Sequence, residues 1–130
     1  MKLIGFKNFR KFEDFPPIDL GPITIFVGEN NAGKSTVVKA ILAIIDFLKS
    51  PVGPRSQSLL DVRFLFNSSY FTHIGTFARA LYNNAVDDNN SITFHIGLDS
   101  YLLDIVVEGD RDDNASVSAQ LSYLTIVNIN

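Results

Sequence analysis

The sequence predicts an α/β fold in which one strand, a glycine-rich loop and a helix are flanked by antiparallel strands. Two observations support this class: an apolar, β-branched run at residues 23–27 precedes the loop and a helical pattern, and alternating apolar segments occupy both ends of the chain. The 130 residues, 46% of them hydrophobic and 19% charged, suffice for one domain with a core.

The N-terminal elements follow from local patterns. The alternating segments at residues 3–9 and 15–20, separated by a charged stretch, predict an antiparallel pair. After Gly21 and Pro22, residues 23–27 predict a central strand buried on both faces. Apolar side chains then recur at helical spacing from Lys34 to Lys49, and Pro51 ends the pattern.

The rest of the chain divides into a middle stretch and a C-terminal set of strands. Short helices are predicted at residues 58–66 and 76–83, within a helical and loop stretch that spans residues 51–90. An antiparallel meander is predicted across residues 91–130, with strands at 91–98, 101–108 and 116–127. Residues 1–50, which contain the glycine-rich loop and the helix after it, form the first part of the same domain.

Composition excludes several classes of protein. The absence of cysteine excludes disulfide frameworks, thiolate metal sites and cysteine nucleophiles. A net charge of −3 argues against a surface built throughout for nucleic acid. The most apolar stretch, residues 37–48, is shorter than the roughly 20 residues that a membrane span needs, and the N-terminus lacks a signal-peptide core. We therefore expect a cytoplasmic location and no membrane partner.

One motif carries the chemistry. Residues 28–35 fit the pattern G-x-x-x-x-G-K-[ST] without a gap, and they lie between the predicted strand and the predicted helix. Glycines at both ends let successive amides point inward, and asparagine tolerates the left-handed backbone that such a loop needs. The motif predicts binding of ATP with Mg²⁺, against the alternative of an ordinary glycine-rich turn. The predicted contacts come from Gly28, Asn30, Asn31, Ala32, Gly33, Lys34, Ser35 and Thr36.

Three side chains have distinct predicted roles at the nucleotide. Lys34 is expected to reach the β- and γ-phosphates, and the Ser35 hydroxyl to ligate Mg²⁺. Thr36 is expected to contact the α-phosphate. The helix that begins near Lys34 offers unpaired amides and a positive dipole end to the same anion.

The segment K-N-F-R at residues 7–10, followed by G-E-N-N-A-G-K-S-T at residues 28–36, resembles the N-terminus of ABC-type ATPases of the RecF, SMC and OLD-nuclease group. The resemblance covers about the first 48 residues. It implies a P-loop NTPase fold, the N-terminal lobe of an ABC ATPase head with an antiparallel β flank. It also implies that Asn8, Arg10, Lys11 and Phe12 flank adenine and ribose. The alternative for these four is a solvated hairpin with Phe9 and Phe12 in the core.

The family's hydrolytic parts are missing from this sequence. No apolar run ends in Asp-Glu, the leucine-serine-glycine-glycine signature is absent, and Asp104 lies inside a predicted strand. We assign no catalytic residue, and neither Gln57 nor Gln120 is assigned to the family's metal-coupling glutamine. The resemblance thus implies the N-terminal lobe of a longer ATPase, inactive alone and completed by downstream Walker B and signature motifs.

The same resemblance suggests partners for the full-length protein. Two ATPase heads would close as a homo-oligomer on ATP, with a nucleic-acid or nuclease partner in DNA repair or phage defence. Two alternatives remain: a non-catalytic nucleotide-binding assembly or sensor module, and a small P-loop kinase, against which the arginine-poor C-terminal third argues.

Overall fold

The computed structural model describes residues 1–50, 62–67, 73–82 and 90–130. Within them, six strands form one sheet in the order β2-β1-β4-β5-β6-β3, and every pair of neighbours is antiparallel. The elements in chain order are β1 Leu3–Phe9, β2 Phe12–Asp19, α1 Lys34–Lys49, β3 Arg63–Leu65, α2 Phe77–Ala80, β4 Ser91–Gly97, β5 Tyr101–Glu108 and β6 Ser118–Asn128.

The structure confirms the predictions that rest on local periodicity. The first two strands form the predicted hairpin, and β4, β5 and β6 form the predicted meander. Helix α1 has the predicted bounds, and Ser50 adopts an extended conformation with ψ 141°, which is favoured for a residue that precedes proline. Neither described helix is long and apolar enough to cross a membrane.

The two predictions for the middle of the chain need correction. The helix predicted at 58–66 is wrong at Arg63–Leu65, which is a strand, and residues 58–61 lie outside the described residues. Strand β3 forms because β6 offers it an edge, with Phe64 opposite Ala119 and both side chains buried. The helix predicted at 76–83 is shortened to Phe77–Ala80, because Leu81 turns to an extended conformation, and Asn83 lies outside the described residues.

The predicted central strand at residues 23–27 is also wrong for this structure. The segment pairs with no strand of the described residues, and Ile23, Ile25 and Val27 are 84%, 78% and 85% exposed. Only Phe26 packs partly against the core. The apolar run predicts burial, but burial needs neighbouring strands, and the described strands pair with each other instead. The sheet of the described residues is therefore antiparallel, and the predicted central strand is not part of it.

The core lies between one face of the sheet and α1. Alternate residues of β4, Ile92, Phe94 and Ile96, are buried, and so are their cross-strand partners on β5. Stacked and tilted aromatic rings continue this layer to the helix: Phe94 stacks on Phe64 at 4.9 Å, and Phe64 lies 5.2 Å from Phe47 of α1. This packing fixes α1, and with it the loop that precedes α1.

A close approach of backbone to backbone shapes the β1–β2 hairpin. The register shifts between Ile4 and Phe6, so that Gly5 lies against Pro17 of the edge strand. A Cβ at position 5 would be 2.8 Å from both the nitrogen and the Cα of Pro17. Proline is tolerated on an edge strand, and glycine lets the two backbones approach each other.

The Gly5→Ala variant is therefore expected to lower the free energy of unfolding by about 1–3 kcal/mol, because the added methyl must displace backbone atoms. Urea unfolding followed by circular dichroism measures the change. Gly21→Ala is the matched control, since the nearest atom to its added Cβ is 3.5 Å away. Equal stability of the two variants would contradict the proposed role of Gly5.

Candidate nucleotide-binding site

The loop at residues 28–33 has the backbone that an anion-binding turn requires. Gly28, Asn31 and Gly33 have φ angles of 155°, 76° and 104°, a region that side chains other than asparagine rarely tolerate. The Ala32 amide donates to the Glu29 carbonyl at 3.1 Å, which closes a turn inside the loop. The structure confirms the predicted left-handed geometry at Gly28, Asn31 and Gly33, whereas Asn30 does not have a positive φ.

The loop leads directly into α1. Gly33 is the N-cap residue, and no side chain caps the helix from that position. The amides of Thr36 and Val37 both donate to the Gly33 carbonyl, at 3.0 and 3.2 Å. The N-terminus of a 16-residue helix therefore faces the loop without a side-chain oxygen in the cap position, and this is where helices bind phosphate.

Two lysines direct their ammonium groups at carbonyl oxygens of the loop. Lys34 donates to the Gly28 carbonyl, which folds its side chain back across the loop. Lys11, from the β1–β2 turn, donates to the Asn31 carbonyl at 2.5 Å and also to its side-chain oxygen. Phosphate oxygens are stronger acceptors for an ammonium group than neutral carbonyls, so both contacts are replaceable by an anion.

The side chains of Ser35 and Thr36, which follow Lys34, differ in their exposure to solvent. Ser35 is exposed, which leaves its hydroxyl accessible to a ligand at the helix N-terminus. Thr36 is only 1% exposed, and its side chain belongs to the packed interior of the helix. The predicted contact between Thr36 and the α-phosphate stays a prediction, and the Thr36 side chain that would make it is buried.

The β1–β2 hairpin reaches the loop through Lys11 and Phe12. The ring of Phe12 lies against Gly33: a Cβ at position 33 would be 2.5 Å from its Cζ atom. Phe12 also packs against Phe6 and Phe15, with ring centroids 5.7 and 5.1 Å apart. The structure thus brings these two predicted residues to the loop, and Phe12 contacts the core as well.

The structure places the other two predicted hairpin residues elsewhere. Asn8 is 6% exposed, and its side-chain amide donates to the Ser91 carbonyl of β4 at 2.9 Å. Arg10 donates its backbone N–H to the Ala80 carbonyl at 2.7 Å, beside α2. Burial and, secondarily, the positive charge of Arg79 lower the pKa of the Arg10 guanidinium from its ordinary value. Sequence reasoning did not single out Arg79, because the effect of its charge on Arg10 depends on α2 packing beside the β1–β2 turn.

Asp104 lies on the sheet face opposite the core, as its position inside a strand predicts. It sits across from His95 in the β4–β5 register, and its Oδ1 is 2.6 Å from the His95 Nδ1. Asp110 and Asp113 accept hydrogen bonds from the amides two residues ahead, a pattern typical of a turn. The described residues contain no group of three His, Cys, Asp or Glu placed to hold a metal ion.

Two comparisons with known proteins bear on the family of this chain. A family model described as an AAA ATPase domain matches residues 1–124. An OLD nuclease from Thermus scotoductus (strain ATCC 700910 / SA-01) is 49% identical over 58 residues, which are 45% of this chain and 10% of that protein. The match therefore spans about a tenth of the relative's length. Because the family model covers nearly the whole chain, this protein belongs to the AAA ATPase domain family.

Proposed function

We propose that this chain binds ATP with Mg²⁺ through the loop at residues 28–36. The observation that carries the proposal is the loop itself: three left-handed residues, an N-terminus of α1 without a side-chain cap, and Lys34 folded over the loop. Lys34 would exchange the Gly28 carbonyl for the β- and γ-phosphates, and exposed Ser35 would hold the metal ion between them. Magnesium would neutralise phosphate charge at the helix N-terminus.

The proposal extends to the place of this chain in a larger ATPase. The exposed side chains of Ile23, Ile25 and Val27 support it, because a β-branched apolar run favours a strand and an exposed apolar patch marks a surface that another element covers. We infer that residues 23–27 become a paired strand when the remaining part of an ABC-type ATPase domain supplies their neighbours. The OLD nuclease, of which the match covers a tenth, supports a longer parent protein.

The parent protein would hydrolyse ATP, since the residues that activate water and sense the γ-phosphate would come from its remaining part. Two heads would close on ATP and open after hydrolysis, in DNA repair or defence against phage. The similarity to an OLD nuclease and the family resemblance of the first 48 residues support this proposed role.

Calorimetry with this chain tests the binding step and the metal separately. Wild-type chain is titrated with ATP in the presence of Mg²⁺ and again with Mg²⁺ removed by a chelator. Ser35→Ala is expected to lose most of the gain in affinity that Mg²⁺ provides while it retains the metal-free affinity. The Ser50→Ala variant, at the other end of α1, is the control. The absence of any heat from ATP with folded wild-type chain would contradict the proposal.

A non-catalytic nucleotide-binding module is the second candidate. It is favoured by the position of Asp104, whose carboxylate is engaged by His95 on the sheet face opposite the core. Measurement of phosphate release by the product of the complete native reading frame separates the two. Turnover that is lost in Lys34→Ala supports the ATPase, whereas ATP binding without turnover supports the binding module.

A further inference from the structure

The turn between β1 and β2 contacts the loop at residues 28–33 at two neighbouring points. Lys11 donates from its Nζ to the Asn31 carbonyl at 2.5 Å and also to the Asn31 side-chain oxygen. The next residue, Phe12, lies against Gly33, the N-cap residue of α1. Lys11 and Asn31 are both exposed, although 20 residues of chain separate them. The hairpin thus holds a solvent-accessible ammonium group directly on the loop.

The positive charge of Lys11 meets no carboxylate in the part of the chain that the structure describes. Neither ion pair found there includes Lys11, and its two acceptors on Asn31 are neutral oxygens. An ammonium group has three donors, of which Asn31 occupies two. The third donor has no acceptor among the described residues, and a phosphate oxygen is a stronger acceptor than either oxygen of Asn31.

The position of Asn31 indicates which part of a nucleotide the ammonium group would meet. In a loop of this kind, the backbone between the two glycines surrounds the phosphates. Asn31 lies between Gly28 and Gly33, so an ammonium group 2.5 Å from its carbonyl lies beside the phosphates. The family resemblance implies adenine and ribose as the neighbours of Lys11. Those groups offer only neutral acceptors, so the observed contact favours phosphate instead.

We propose that Lys11 is a second phosphate-binding lysine of this site, contributed by the hairpin, while Lys34 is contributed by α1. The inference rests on the proposed nucleotide site and adds to it a residue outside the G-x-x-x-x-G-K-[ST] motif. Asn31 already holds the Lys11 side chain at the loop, so little further conformational freedom is lost when a phosphate binds. The two ammonium groups together would offset the negative charge of a polyphosphate chain.

Inorganic tripolyphosphate is the probe that isolates the phosphates, because it contains neither base nor ribose. Titration calorimetry with Mg²⁺ compares wild-type chain, Lys11→Gln and Lys7→Gln. Lys11→Gln is expected to weaken the affinity for tripolyphosphate and for ATP about tenfold, the effect of losing one charge-assisted hydrogen bond. Lys7→Gln is the matched control, because Lys7 is an exposed lysine of the same hairpin and its replacement changes the net charge equally. It is expected to bind both probes as wild type does.

Salt dependence separates a contact with phosphate from mere support of the loop. Because salt screens exposed charges, the ratio of wild-type to Lys11→Gln affinity is expected to fall between about 0.05 and 0.5 M salt. Support of the loop through Asn31 alone would give a ratio that does not fall. Lys11→Arg keeps the charge and is expected to keep most of the affinity. Because Lys11 is exposed, all these variants should unfold at nearly the wild-type temperature, which circular dichroism verifies.

A titration with ADP identifies the phosphate that Lys11 contacts. A larger loss for ATP than for ADP in Lys11→Gln assigns the γ-phosphate, and an equal loss assigns an inner phosphate; either result supports the proposal. Weaker binding of ATP with unchanged binding of tripolyphosphate would overturn it, as would an equal loss in Lys7→Gln or a loss that does not depend on salt. Wild-type chain that binds neither probe would contradict the nucleotide site itself, whereas binding that is independent of Lys11 would contradict this inference alone.

Discussion

Lys34→Ala is expected to weaken binding of ATP with Mg²⁺ by about a hundredfold, which at ordinary concentrations means no measurable binding. The ammonium group of Lys34 is held at the loop by its hydrogen bond to the Gly28 carbonyl. In the bound state it would meet two phosphate groups, and charge-assisted hydrogen bonds contribute about 1.5–3 kcal/mol each. Titration calorimetry with the purified chain measures the loss.

The control for this variant is Lys39→Ala, which removes the same charge from the same helix, away from its N-terminus. It is expected to bind ATP as wild type does. Lys34→Ala should also unfold at nearly the wild-type temperature, because alanine favours helix and the side chain of Lys34 is not part of the core. Wild-type affinity in Lys34→Ala would show that nucleotide binds elsewhere on the molecule.

Phe94→Ala is expected to produce the largest loss of stability, about 3–5 kcal/mol in the free energy of unfolding. Phe94 is fully buried in β4, stacks on Phe64 at 4.9 Å and meets the edge of Phe9 at 5.4 Å. Its removal leaves a cavity that the flanking strands cannot fill without breaking their register. Since small domains have only about 5–15 kcal/mol of stability, much of the total would be lost. Urea unfolding measures the change.

Two companion variants make this result specific to packing. Phe94→Leu keeps most of the volume and is expected to lose a smaller part of the stability than alanine does. Tyr123→Ala removes an aromatic ring that is 58% exposed on β6, and we expect a change within about 1 kcal/mol. A loss in Tyr123→Ala as large as in Phe94→Ala would contradict the assignment of the core to the α1 face of the sheet.

Local periodicity was enough to predict the hairpin, α1 and the C-terminal meander. In each of them the residues that alternate or recur also meet their partners within a short stretch of chain, as Phe94 meets Ile105 across one turn. Residues 23–27 are equally apolar, yet Ile23, Ile25 and Val27 remain exposed. Their pattern favours burial, but burial of a strand also requires neighbouring strands that pair with it. The three-residue strand around Phe64 was mispredicted for the converse reason: β6, far along the chain, creates it.

The candidate site was predictable where a backbone requirement restricts residue type. Gly28, Gly33 and Asn31 occupy left-handed positions, and Lys34 folds onto the loop. Of the four hairpin residues predicted at the site, only two reach the loop. The sequence does not fix the direction in which each side chain of the hairpin points. Lys11 and Phe12 reach the loop, whereas the Arg10 backbone bonds to Ala80 of α2.

The contact between Phe12 and Gly33 links the phosphate loop to the aromatic interior. The ring occupies the space where a side chain at position 33 would stand, and it packs in turn against Phe6 and Phe15, which stack on each other at 4.7 Å. If the loop shifts when it binds a nucleotide, the ring of Phe12 would tilt. The ring-current shifts of the Phe6 and Phe15 protons would then change. The aromatic proton signals of these phenylalanines would therefore report nucleotide binding at the loop without an attached label.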